Sequence, residues 1–372
     1  MRDARINQLA HNLVNYSINL QPGEKVLIES SGFELPLTIA LIEEAYLAGG
    51  LPFVNLDNEE INQAYLTQAT EDQIKLMAEI DSARMEKMDA YIGMRAKFNQ
   101  YTLSSVPTEK MNMYNKLYSQ PVHHNLRVAK TKWVILRYPN HSMAQLAHMD
   151  TRSFENFYFN VCNLDYSKMD RAMDPLAELL AKSDQVELKG PGLDLRFSIA
   201  GIGSKKCSGH FNIPDGEVYT APVKDSIEGE IIYNTPSTSQ GTTFNNVHFK
   251  FKQGKIIGAE ACPNTAKLQE ILDTDPGARY IGEWALGVNP YITRPINDIL
   301  FDEKIMGSFH LTPGSCYEEV SNGNESAIHW DLVHNQTAAY GGGEIWLDGK
   351  LIRKNGLFVL PELLNLNPEN LI

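Results

Sequence analysis

A chain of 372 residues, 43% apolar and 21% charged, is long enough for two hydrophobic cores and close enough to globular averages to exclude a mainly disordered, collagenous or low-complexity architecture. Its formal charge of −13 and pI near 5.3, without clusters of Lys and Arg, argue against nucleic acid and acidic membrane surfaces as partners. Cys162, Cys207, Cys262 and Cys316 are dispersed with no CxxC pair, which fits reduced thiols and neither a disulfide framework nor a zinc ribbon.

The N-terminus lacks the apolar block of a secretory signal, and no apolar run approaches the roughly 20 residues of a membrane-crossing helix. The expectation is therefore a soluble, cytoplasmic protein. Residues from Ile6 to Asn19 show helical spacing, Pro22-Gly23 breaks it, and Lys25-Val26-Leu27-Ile28-Glu29 reads as a strand. A second helical pattern from Leu35 to Ala48 ends at Gly49-Gly50 and feeds the strand Leu51 to Leu56. Strand, helix, strand at this spacing implies a parallel unit. Ala90 to Met94 and Lys132 to Arg137 read as further buried strands, with helical material such as Thr108 to Tyr118 between them. The turn Ser30-Ser31-Gly32-Phe33 matches neither phosphate-binding loop pattern, so this half is assigned a scaffolding role.

After a helix around Met169 to Lys182 the pattern changes to short strands, at Gln185 to Leu188, Leu193 to Ile199, Gly229 to Tyr233, Val247 to Phe251 and Lys255 to Ala259. The fold class read from this pattern is α/β: an N-terminal domain, 1–184, with a mainly parallel sheet, then a β-rich α+β domain, 185–372. No internal repeat is visible.

Metal ions that activate water require several convergent carboxylates and imidazoles, and these concentrate in the C-terminal half. Asp215 and Glu217 lie in a Pro- and Gly-bounded turn, where a solvated loop is the competing reading. Glu283 stands alone among apolar and small residues in Gly282 to Pro290, so it must be paired; Arg279 or Arg294 would satisfy it as well as a metal. His329 and Asp331, read as a strand, would point to one face and offer a compact platform for an ion, although a hydrogen-bonded surface pair has the same pattern. His310, alone, reads equally as a structural histidine.

The strings NIPDGEVYTAP, GEWALGVNP, FDEKIMGSFHL and SAIHWDLV, in this order, together with the opening LAHNLVNYSINLQPGEKVLI, resemble the signature segments of the thermophilic aminopeptidase family, peptidase family M29. The resemblance implies two divalent metal ions per chain held by Glu217, Glu283, His310, His329 and Asp331, with Tyr317 contributing to the site. Zinc or cobalt suits such a mixed oxygen and nitrogen set, with manganese or magnesium as further candidates. Implied catalytic roles fall to Tyr317, as a donor to the developing oxyanion, and to Glu283. Either Glu283 or Asp331 is the bridging carboxylate. Glu303 is an outer candidate, as a base or an orienting group, with a surface charge as the competing reading. The stretch Leu311 to Tyr317 departs from the family's usual Ala-Leu-Gly-Arg-Ser-Tyr by lacking the arginine. The implied partners are short peptides and a second copy of the chain in a homodimer. Two competing functions are an iron-dependent ring-cleaving dioxygenase of the same fold and an inactive scaffold. Retention of Glu283 beside Glu217 favours hydrolysis over the dioxygenase, and retention of all five ligand residues argues against the scaffold.

Overall fold

The computed structural model describes residues 3–32, 34–99, 101–239 and 241–372, so Phe33 of the first loop lies outside the described residues. The chain divides into two compact units, 1–163 with 209–213, and 164–208 with 214–372.

The first unit is built on a parallel sheet. Its order runs from Leu51–Asp57 at one edge through Lys25–Ser31, Ala90–Arg95 and Lys132–Arg137 to the short strand Asn212–Ile213. The central strands are near-continuous apolar runs because helices cover both faces of such a sheet. Val26, Leu27, Ile28, Ala90, Tyr91 and Ile92 are all buried. Helix starts follow local chemistry: the side chains of Asn58, Thr70, Asn140 and Asp150 accept backbone N–H groups of the turns they precede. The helix read from Thr108 to Tyr118 is longer than its spacing suggests. It runs Thr108–Tyr114 and continues to Val128 in wider turns bonded five residues back, a run that contains Pro121. Proline has no N–H for an ordinary helical turn and collides with the carbonyl four residues back, and the wider register accommodates it.

The second unit begins earlier than residue 185. Helix Tyr166–Lys182, started by Asp165, buries Tyr166, Met169, Ala172, Met173, Leu176 and Leu180 along one stripe. That stripe packs on strands Lys205–Cys207 and Glu217–Thr220 and on the C-terminal segment Pro361–Leu366, so the expected division at 184/185 falls at 163/164. The second correction is the excursion 209–213, which supplies the last strand of the parallel sheet.

Two antiparallel sheets form the second unit. The larger contains the strands read from sequence between 185 and 262, joined by Glu344–Leu347, Lys350–Lys354 and Leu357–Phe358. The smaller has the order Leu332–Asn335, Ser308–Pro313, Ile281–Gly287, Glu217–Thr220, Lys205–Cys207. Every residue of Ile281–Gly287 and Ser308–Pro313 is buried. Among the described residues no helix is long and apolar enough to cross a membrane, and all four cysteines are free.

Candidate metal centre

The smaller sheet gathers the site because register and pleat agree. Gly287 lies opposite Glu217, Ala285 opposite both Tyr219 and His310, and Glu283 opposite Thr312. Paired residues of antiparallel strands share a face and alternate residues repeat it, so Glu217, Glu283, His310 and Thr312 all project to one side. The other side carries Trp284, Leu286, Phe309 and Leu311, which are buried. His334 also lies there, stacked on Phe309 with ring centroids 5.3 Å apart. Small residues at 285 and 287 leave room between the acids.

Glu283 lies at the middle. Its Oε1 is 3.1 Å from His310 Nε2 and its Oε2 is 3.4 Å from His329 Nε2. Among the described residues neither Arg279 nor Arg294 pairs with it; Arg279 donates to Asp273 and Gln269 instead. His310 Nε2 is also 3.8 Å from Glu217 Oε2, and His329 Nε2 is 3.4 Å from Asp331 Oδ1. Two groups of possible ligand atoms result, Glu217 with Glu283 and His310, and Glu283 with His329 and Asp331, each within 4.8 Å of one another. Glu283 belongs to both.

His329 and Asp331 are not on a regular strand, contrary to the reading from their spacing. The strand starts at Leu332, and His329 forms only an isolated bridge with Gly314. The ladder ends there because Pro313 has no N–H to offer. The two side chains still meet. Trp330 between them is buried against the Phe244 ring and donates its Nε1–H to Ser237 Oγ.

Supporting groups fix these side chains. The Nδ1–H of His329 donates to the Ser315 carbonyl at 2.8 Å, which leaves Nε2 facing the acids. The Thr312 hydroxyl donates to Asp331 Oδ1 at 2.7 Å. Tyr317 sits half-exposed at the rim, its ring centroid 4.9 Å from that of His329 and 5.6 Å from that of Tyr219. Partial burial and the nearby Glu283 and Asp331 push its phenol pKa up, so the hydroxyl keeps its proton.

Sequence reasoning passed over Lys304. Its ammonium, 1% exposed, donates to Glu217 Oε1 at 2.7 Å and to Glu303, and lies 3.7 Å from Asp215 Oδ1. Glu303 is therefore not a surface charge. Burial pushes its carboxyl up to about 8 in spite of Lys304. The available signal was a lone lysine in an otherwise apolar stretch, Ile299 to Met306, broken only by acids.

The electrostatics are those of a cation site. Burial alone would raise the pKa of Glu283, but His310 and His329 outweigh it and hold the carboxyl low; burial likewise lowers both imidazoles, and the carboxylates overcome it and push them up. Glu217 Oε2 and His310 Nδ1 are buried with no hydrogen-bond partner among the described residues, and a buried polar atom without a partner is costly. The donor set, carboxylate oxygens with imidazole nitrogens, fits a divalent transition metal.

Comparison with known proteins agrees. Aminopeptidase 2 of Geobacillus stearothermophilus is 24% identical over 405 residues, covering 95% of each chain. The solved structure of AmpT from Thermus thermophilus superposes with a TM-score of 0.81 at 23% identity, covering 96% of this chain and 99% of that one. The 2,5-dihydroxypyridine dioxygenase of Pseudomonas putida KT2440 has the same fold at a TM-score of 0.62 and 14% identity, over 97% of this chain and 99% of that one. The family described as thermophilic metalloprotease (M29) matches residues 2–358, so the chain belongs to that family and is a metal-dependent peptidase.

Proposed function

We propose that this peptidase is a two-metal aminopeptidase that removes the N-terminal residue of short peptides, with Glu217, Glu283, His310, His329 and Asp331 as ligands and Glu283 as the carboxylate shared by both ions. The observation that carries this reading is the double placement of Glu283, one oxygen toward each imidazole. Charge balance supports it. Among the described residues the ligand groups bring the carboxylates of Glu217, Glu283 and Asp331 together, whereas Lys304 engages Glu217 and Glu303 and lies near Asp215, so negative charge is left over for divalent cations to meet.

Bound divalent ions supply Lewis acidity and a water whose pKa is lowered toward neutrality. The chain's own residues do the rest. His329, oriented by the Ser315 carbonyl, and Asp331, oriented by the Thr312 hydroxyl, hold one side of the centre, and Glu217 with His310 hold the other. Tyr317, protonated and at the rim, is placed to donate to the oxygen that becomes negative as the peptide carbonyl is attacked. The names of the curated relatives, aminopeptidases that cover nearly the whole chain, support removal of N-terminal residues over internal cleavage. Zinc or cobalt is the proposed metal, and a homodimer the proposed assembly, the latter checked by light scattering.

The test is hydrolysis of aminoacyl-p-nitroanilides before and after chelation, with zinc, cobalt, manganese, magnesium or ferrous iron added back and metal content measured in parallel. The expected result is about two ions per chain, activity lost to chelator and restored by zinc or cobalt, and no cleavage of N-acetylated substrates. Equal cleavage of acetylated substrates would sink the exopeptidase reading. Oxygen uptake with a dihydroxypyridine, restored by ferrous iron alone, would move the assignment to the dioxygenase branch.

A further inference from the structure

A third group of possible ligand atoms lies beside the two that share Glu283. Cys207, Asp215 and Glu217 each offer one atom, all within 4.8 Å of one another. Cys207 is on the edge strand Lys205–Cys207 and pairs in register with Glu217, so the proximity follows from the fold. This third group differs from the others in that Lys304 already stands against it, with its ammonium 2.7 Å from Glu217 and 3.7 Å from Asp215. The ammonium is held by main chain as well as by charge. Lys304 O accepts the N–H of Asn289, its own N–H closes the turn to Phe301 O, and the 304–305 backbone presses on Gly287. Glu217 is consequently divided. One oxygen is engaged by Lys304 while the other, buried and without a hydrogen-bond partner among the described residues, is the one that faces His310.

Resting on the two-metal reading above, we infer that Lys304 is a positioning residue and built-in counter-ion that limits the carboxylate pocket to two divalent ions. It stands where a third cation would otherwise be drawn to Cys207, Asp215 and Glu217. By engaging Oε1 it makes Glu217 a one-oxygen ligand, turned toward His310. An ammonium suits this task because it is a compact point charge that satisfies several carboxylates at once, and removing it leaves buried acids that attract whatever cation is available.

The test loads the full-length protein with cobalt(II) and reads cobalt per chain together with absorption from thiolate-to-cobalt charge transfer. Wild type is expected to take up two ions and show no thiolate band. Lys304→Met is expected to take up a third ion and show the band, which Cys207→Ser on the same background removes. It should also bind the Glu217-side ion about 10-fold more weakly, as loss of an orienting partner does. A thiolate band in wild type, or a folded Lys304→Met protein with two ions and no band, overturns the proposal. If Lys304→Met does not fold, Glu303→Gln/Lys304→Met, which keeps the net charge of wild type, is read in the same way, and the wild-type spectrum decides where neither variant folds. Wild type that binds no cobalt at all would instead remove the two-metal reading, so the two failures are distinguishable.

Discussion

In the parallel sheet, Val26, Leu27 and Ile28 and, beside them, Ala90, Tyr91 and Ile92 fill the interior with apolar side chains. Strands Ile281–Gly287 and Ser308–Pro313 are as fully enclosed, yet they carry Glu283, His310, Ser308 and Thr312 among their apolar residues. Burial therefore means opposite things in the two places. Apolar area removed from water stabilises at about 25 cal/mol per Å², whereas a buried ion costs several kcal/mol unless its charge is met. The first sheet is organised for stability. One face of the second is organised to hold charge that the protein alone does not balance, with its opposite face supplying the packing.

The sharpest way to break that contrast is Glu283→Gln. Losing the carboxylate shared by both ligand groups is expected to lower kcat/KM by about 10³-fold or more, the equivalent of the several kcal/mol that metal-assisted charge stabilisation provides. Metal content should fall with it while the circular dichroism spectrum stays that of wild type; a variant with full metal content and turnover would show that Glu283 is only structural. Ile92→Ala, in the parallel sheet, should do the reverse. It is expected to cost about 2–5 kcal/mol in urea unfolding and to leave metal content and kcat/KM of the folded protein unchanged. Loss of metal in this variant would mean that the two regions are not separable.

The smallest effect concerns the packing face of the site sheet. Burial pushes His334 down to about 4, so the folded protein holds this imidazole neutral where the unfolded chain, near 6.5, takes up a proton. Its neutral form costs nothing above pH 6.5, and stability is lost as pH falls from there through 4. Replacing it by Gln should flatten that part of the stability profile, measured by chemical unfolding at pH 7.5 and pH 5. An unchanged slope would assign the acid sensitivity elsewhere.

Much of this was legible from residue order. The strands of the parallel sheet declare themselves because each is a short apolar run between turn signals, and Glu283 declares itself because an isolated acid in apolar surroundings requires a partner. The identity of that partner was not legible from local pattern, where Arg279 is near in sequence; only the resemblance of the longer segments grouped Glu283 with His310 and His329, whose imidazoles are near it in space. Lys304 was missed for the same reason, since Glu217 and Asp215 lie far back along the chain and only the fold brings them together. The unit boundary was misplaced because the amphipathic stripe of Tyr166–Lys182 says that it covers a sheet without saying which. The H-x-D pattern correctly brought His329 and Asp331 together, but through an irregular segment, because Pro313 interrupts the neighbouring ladder.

Gly287 has a wider consequence. A side-chain carbon there would lie 2.4 Å from the Ile305 carbonyl oxygen and 2.9 Å from the Lys304 carbonyl carbon, so this position admits hydrogen alone. The depth to which the lysine segment settles is thus set by contact between two stretches of main chain. Substitution at exposed positions of the intervening segment, such as Thr293 and Arg294, leaves this contact untouched, while any side chain at position 287 meets it directly.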